Sequence, residues 1–307
     1  MLILNPERSS FGRHETFPLR FGWLTKGVSA WVEKPSIFDD EDAVIKLGVG
    51  KNMVDAIRYW MVASQIVVAN GRSLEPTEVG KRVFFEDGWD PYLEDDATIW
   101  LVHWLIASNP VDATTPFWFF NRFHKPEFTN KELIDALTDY VKENFRSRVA
   151  AATLRNDVGL LLRMYEAAHK QTKGPVEEAL DSPMSLLALL SHQEGTKLHS
   201  SLSEYRASVP VATFSFAIAQ LFEQLNESVI SVERLMHSDG KLAAPGAVFR
   251  ITEECLVAKL EAMVRWLPGV FELRQTAGIH QLYQLLPMKA IDILDHHYQN
   301  HSGLELQ

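Results

Sequence analysis

Apolar residues recur along most of this chain at steps of three and four, the spacing that turns one face of an α-helix toward a core. Ala43, Val44 and Leu47 form one such face directly after the acidic run at 39–42, which sits where a helix start favours negative charge. The pattern stops at Gly48, a residue suited to ending helices. Gly48-Val49-Gly50 gives a tight turn, and Lys51 opens a second helix reaching about Val67. On that helix Val54, Ile57 and Met61 fall inward, while Asn52, Asp55, Ala56, Tyr59 and Ala63 fall opposite, with Lys51 and Arg58 at the margin. Two helices joined by a short glycine turn read as a helix-turn-helix. The apolar run 66–69, the turn pair Asn70-Gly71 and the run 81–85 then predict a β-wing.

Further along, 94–107 begins acidic and turns apolar, which predicts a buried helix with His103 as a hydrogen-bonded core residue. Residues 110–126 read as a loop whose Phe117-Trp118-Phe119-Phe120 plugs into the core. Thr129 and Glu132 make a capping box before a helix with Leu133, Ile134, Leu137 and Val141 on one side. A helix over 149–168 points Leu154, Val158, Leu161 and Leu162 inward, and 171–175 reads as a linker. Apolar helical segments follow at 183–190 and 214–225. Thr252 caps a helix inward at Leu256, Leu260, Met263 and Leu267, with a short strand at 269–274. The fold class is therefore mainly α. A winged helix-turn-helix with a preceding strand segment spans 1–90, a helical region spans 91–172, and a mostly helical domain with short strands spans 173–307.

Composition narrows the class. The chain has 307 residues, 46% hydrophobic and 23% charged, which suits a globular protein of two or three domains. Its one cysteine, Cys255, excludes a disulfide framework and a cysteine-built zinc site, and its helical context makes it a packed thiol. No apolar run approaches the length of a membrane span, so a soluble, cytoplasmic protein is expected. The net charge of −10 argues against a nonspecific polybasic coat for DNA. Within 44–82, however, Lys46, Lys51, Arg58, Arg72, Lys81 and Arg82 outnumber Asp55, Glu75 and Glu78.

This local cationic balance gives the second helix a DNA reading. Asn52 has the donor and acceptor to read adenine, Asp55 can accept from cytosine, and Lys51 and Arg58 can hold phosphates. Tyr59, Arg72 and Lys81 complete the candidate surface for double-stranded DNA. A winged helix used for protein contacts is the alternative. Gly48-Val49-Gly50-Lys51 is not a phosphate-binding loop, because Ile45 and Asn52 stand where that motif needs glycine and a hydroxyl.

Other polar groups invite chemistry. Arg13, His14, Glu15 and Arg20 sit among aromatics and glycines, and His14 as base with arginines stabilising charge would suit phosphoryl transfer. In an extended segment Arg13 and Glu15 face away from His14, so an ion-paired brace for the winged domain is the structural alternative. Arg146, Arg148, Arg155 and Arg163 offer either a second nucleic-acid surface or a solvated helix face. Near the end, Asp292 and His296 are spaced to share a metal ion, whereas adjacent His296 and His297 are not.

Several stretches together resemble a known family. They are Arg-His-Glu-Thr-Phe at 13–17, Gly-Trp-Leu-Thr-Lys-Gly at 22–27, Leu-Gly-Val-Gly-Lys-Asn-Met-Val at 47–54 and Ala-Ile-Arg-Tyr-Trp at 56–60, with Asp-Ser-Pro-Met at 181–184, Pro-Gly-Ala-Val-Phe at 245–249 and Thr-Ala-Gly-Ile at 276–279. The chain resembles the bacterial domain-of-unknown-function family encoded beside DNA phosphorothioation genes. That resemblance implies a DNA-binding subunit that nicks one strand so that sulfur can replace a backbone oxygen, in a modification and phage-defence system. Implied partners are a cysteine desulfurase, an ATPase and a reductase-like subunit. Where the family more often has cysteine this chain has Ser182, so no thiol chemistry transfers there. Two functions stay open, a nickase assisted by Mg2+ or Mn2+ and a noncatalytic DNA-binding adaptor. A palindromic target would imply a homodimer.

Overall fold

The computed structural model describes residues 3–146, 148–166, 182–276 and 279–302. It is mainly α, with small antiparallel sheets. Helices α1 (Trp23–Glu33) and α3 (Lys51–Ala63) pack so closely that a Cβ on Gly27 would stand 2.6 Å from Met61 Sδ and 2.7 Å from Ile57 Cγ2. Only glycine permits that approach. Between them lies α2 (Ala43–Leu47), ended as expected by Gly48, which adopts φ 61°. Val44 is more exposed than its expected inward place, at 38%. The α2–turn–α3 unit is followed by a hairpin of β1 (Val67–Asn70) and β2 (Ser73–Pro76), joined through Gly71 at φ 63°.

The expected winged helix-turn-helix is therefore present only in parts. Residues 81–85 were expected as the second wing strand, but they lie in or just after helix α4 (Glu78–Phe84). The reason is local: Thr77 caps the helix by accepting from Gly80 N, Glu78 occupies the first turn, and Lys81 and Arg82 occupy the last. The preceding segment is not a strand either. Residues 13–16 form turns in which Glu15 and Thr16 both take positive φ, 48° and 64°.

Helix α5 (Asp96–Ala107), buried all round, and, later in the chain, Val211–Leu225, buried on all but its Gln220, Glu223 and Gln224 side, form the centre. Residues 110–126 are not a loop. They contain α6 (Thr114–Arg122), whose Pro116 lies in the first turn, where no intrahelical N–H bond is lost. Its aromatic run is buried as a core plug, as expected. Strand β3 (Glu127–Thr129) leads to α7 (Asn130–Asn144), opened by the expected Thr129–Glu132 capping box. Helix α8 (Ala151–Tyr165) buries Leu154, Val158, Leu161 and Leu162. The expected linker at 171–175 lies outside the described residues.

The stretch 183–190 forms a single 3-10 turn at Pro183–Leu187 rather than an α-helix, ending at Ala188 with φ 50°. Strands β4 (Ser191–His192) and β5 (Leu198–Ser200) complete a sheet with β3. After α9 (Val211–Leu225) come β6 (Val229–Ser231), α10 (Val232–Met236), α11 (Pro245–Val248) and α12 (Glu253–Trp266), the last capped by Thr252 as its sequence indicates. Strands β7 (Phe271–Thr276) and β8 (Ile279–Gln284) pair with β6 in the order β6-β8-β7, and α13 (Ala290–Ser302) closes the chain against α9. Buried side chains from Leu19 to Tyr298 join one hydrophobic cluster.

Two buried titratable groups inside that core are paired. His103 places Nδ1 2.8 Å from Tyr165 Oη and Nε2 2.9 Å from the Val248 carbonyl. The carbonyl only accepts, so Nε2 carries the proton and Nδ1 accepts from tyrosine. Burial pushes the His103 pKa down to about 3. Arg250, also buried, donates to Ser201 Oγ and to the Phe119 and Phe123 carbonyls, and lies over the Phe119 and Phe120 rings. Cys255 is buried, as expected of a packed thiol.

Candidate nucleic-acid interface

The exposed side of α3 carries Lys51, Asn52 and Asp55, while Val54, Ile57 and Met61 are buried behind it. Arg58 lies at the margin and donates from Nη2 to the Arg72 carbonyl at 3.1 Å, tying the helix to the hairpin tip. The backbone of Arg72, whose side chain is exposed, therefore stands beside α3. The outward face is narrower than the helical layout suggests. Ala56 and Ala63 are fully buried, and Tyr59 is half-buried with its ring edge toward His14 at 5.9 Å between centroids. Burial raises the Tyr59 pKa far above the ordinary range, with the Asp157 carboxylate adding to the effect. Tyr59 thus packs under the N-terminal turn instead of pointing out, because that turn covers this side of α3. Lys81 is exposed on a separate helix, α4, next to Arg82, which pairs with Asp295 of α13 at 3.7 Å.

The N-terminal turn is held by α8 and α3. Asp157, buried on α8, accepts from Gly12 N at 2.9 Å, His14 Nε2 at 2.8 Å and Thr115 Oγ1 at 3.1 Å. The Thr16 amide donates to His14 Nδ1 at 3.1 Å, so the ring is neutral with its proton on Nε2. Arg163 of α8 donates to the Thr16 carbonyl at 2.9 Å, and Trp60 of α3 donates to the Phe17 carbonyl at 3.0 Å. Gly12, at φ 70°, lets the turn approach α8, since a Cβ there would stand 2.8 Å from Thr153 Cγ2.

The four residues expected at a phosphodiester site have different surroundings. His14 is buried with both ring nitrogens engaged, whereas Arg13 and Glu15 are exposed. Arg20 lies half-buried over the Trp23 and Phe17 rings, 5.4 and 6.0 Å from their centroids. The turn joins α8 to α3, and exposed Arg163 stands beside it through its bond to the Thr16 carbonyl, while Arg155 is exposed on the same helix as Arg163. Asp157 escaped the sequence reading, although its place among inward Leu154, Val158 and Leu161 was a signal. A carboxylate on an apolar helix face needs buried donors.

The described residues do not make a ready divalent-metal site. No group of three histidine, cysteine, aspartate or glutamate side chains among them could hold an ion. Asp157 is taken up by protein donors. Of the C-terminal residues, His297 contacts Asp95 at 2.9 Å, His296 lies against Trp266, and Asp295 accepts from Gln299.

A family model described as a protein of unknown function, DUF4007, matches residues 11–298. The chain belongs to that family. It is also similar to the SspB crystal structure, with 31% identity and a TM-score of 0.85 over 96% of this chain and 89% of that one. The magnesium ion-bound SspB crystal structure matches at 31% identity and a TM-score of 0.83, with the same coverage. A search of curated proteins finds no match. No helix among the described residues is long and apolar enough to cross a membrane.

Proposed function

We propose that this chain is the duplex-DNA-binding subunit of a bacterial DNA phosphorothioation and phage-defence system, and that strand nicking is the activity it serves. The observation that carries the DNA reading is the α3 face: Lys51, Asn52 and Asp55 are exposed, and Arg58 is tied to the hairpin tip that bears Arg72. Cations at the margins hold phosphates while short polar groups between them reach base edges. The exposed arginines of the N-terminal turn and α8 extend the phosphate track. The likeness to SspB and the motif resemblance support the phosphorothioation context, and with it a cysteine desulfurase, an ATPase and a reductase-like subunit as partners.

Within that role two activities differ. Family resemblance favours a nickase working with Mg2+ or Mn2+. The sequestered His14 favours an adaptor that positions other subunits, since a buried imidazole with both nitrogens engaged is a poor general base. Purified protein incubated with supercoiled plasmid separates them. Open circle formed with magnesium and suppressed by chelator establishes the nickase. Intact supercoils alongside salt-sensitive DNA binding establish the adaptor. No DNA binding at low salt removes both.

A further inference from the structure

A groove follows α9, with Val62 of α3 and strand β1 in its lining. One part, a cleft of about 410 Å³, has Val67, Val68 and Ala69 of β1 on one wall and Phe216, Gln220 and Glu223 of α9 on another. A second, about 770 Å³, continues past Phe222, Asn226, Leu285 and Met288. Glu223 and Lys289 line both parts. Two large apolar side chains stand exposed along it, Val68 at 48% and Leu285 at 47%, and Leu286, 58% exposed, follows Leu285 in the chain just outside the groove lining. The leucine pair is held firmly, because both amides donate to the Val270 carbonyl, at 2.8 and 3.4 Å. Adjacent exposed leucines on an ordered backbone keep apolar area in water, which marks a contact surface.

The charges select the occupant. Glu78, Asp112, Glu223, Glu227 and Asp292 line the groove against Arg8 and Lys289. Glu223 caps the start of α13 by accepting from Ala290 N at 2.8 Å, and Glu227 receives Arg234 on both oxygens at 3.0 Å, but Asp292 is exposed. This acidic balance repels nucleic-acid phosphates and attracts lysine and arginine. We infer that the groove along α9 is a docking surface for a cationic, leucine-bearing segment of a partner protein. Apolar anchors of that segment cover Leu285, Leu286 and Val68, and its cations lie along the acidic rim. Because β1 forms one wall while the tip of the same hairpin reaches toward α3, a seated partner also steadies the hairpin.

The test uses the full chain and a fluorescent amphipathic peptide made only of leucine and lysine, with a leucine-glutamate peptide of the same pattern as its counterpart. Anisotropy should show saturable binding of the first and none of the second. Leu285→Ser combined with Leu286→Ser should weaken it about tenfold, as should Asp292→Lys, while Asp42→Lys on the distant acidic run leaves it unchanged. Circular dichroism and duplex-DNA affinity are measured on the same samples, which keeps misfolding and failure of the DNA reading separate. Absence of leucine-lysine binding overturns the inference, as does equal binding of both peptides or equal weakening by Asp42→Lys. Concentration-dependent self-association that disappears in the double serine variant also overturns it, because the occupant is then a second copy.

Discussion

His14 Nε2 donates to Asp157 Oδ1 at 2.8 Å, joining residues 143 apart in sequence, while its Nδ1 accepts the Thr16 amide at 3.1 Å. Two side chains thereby fix a turn with consecutive positive-φ residues between α3 and α8. His14→Ala leaves the buried Asp157 carboxylate short of a donor and frees the Thr16 amide. It should destabilise the protein by about 1–3 kcal/mol in urea unfolding and weaken DNA binding with it. His14→Gln, which keeps a donor toward Asp157, should recover most of both. A variant that folds with unchanged stability yet loses nicking altogether would restore His14 as a catalytic base.

On α3 the two cations have different surroundings, so their substitutions should differ. Lys51 is exposed, and Lys51→Ala should lower the log–log salt slope of DNA binding by about 0.9 without altering stability. Arg58→Ala also releases the Arg72 carbonyl at the hairpin tip, so its loss of affinity should exceed that of one phosphate contact. Unchanged affinity and slope in the double variant would exclude this helix from the DNA surface.

Asn52→Ala should behave differently from both. If Asn52 reads a base edge, discrimination at one position should fall by about 1–3 kcal/mol while the salt slope stays nearly constant. Competition binding against single-base variants of a bound sequence makes the measurement.

His103 gives the fold an acid sensitivity of known sign. Burial holds it neutral in the folded state down to about 3, against an ordinary value of 6.5. Between those values the unfolded chain binds the extra proton, so stability falls as pH falls, by about 1.4 kcal/mol per pH unit from this group. Above pH 6.5 the group contributes no slope. Urea unfolding at pH 7, 6 and 5 should show this trend, and His103→Gln should flatten it.

Arg250 is expected to matter more than an exposed arginine. Arg250→Leu strips the donor from the Phe119 and Phe123 carbonyls and from Ser201 Oγ, all inside the core. At about 1–3 kcal/mol for each orphaned group, the loss should exceed about 3 kcal/mol, readable as a lower urea midpoint.

Local signals in the sequence fixed much of the helical framework. The Thr129–Glu132 box, the Thr252 cap, the Gly48 stop and the apolar face of α8 act within a few residues, so the chain displays them directly. The same local logic overreached at 81–85, where β-branched and aromatic residues suggested a strand but the Thr77 cap and graded charges made a helix. It also missed α6, whose proline and aromatics looked like a loop until burial against the core made them a helix.

The candidate site divides along the same line. By sequence alone, helical periodicity places Lys51, Asn52 and Asp55 opposite Val54, Ile57 and Met61, because that relation depends only on the pitch of one helix. Only the tertiary structure decides that Tyr59 turns under His14, that Arg58 reaches the hairpin tip, and that Asp157 receives the N-terminal turn. Those contacts join segments far apart in the chain, and no local period encodes which distant donor a buried carboxylate will find.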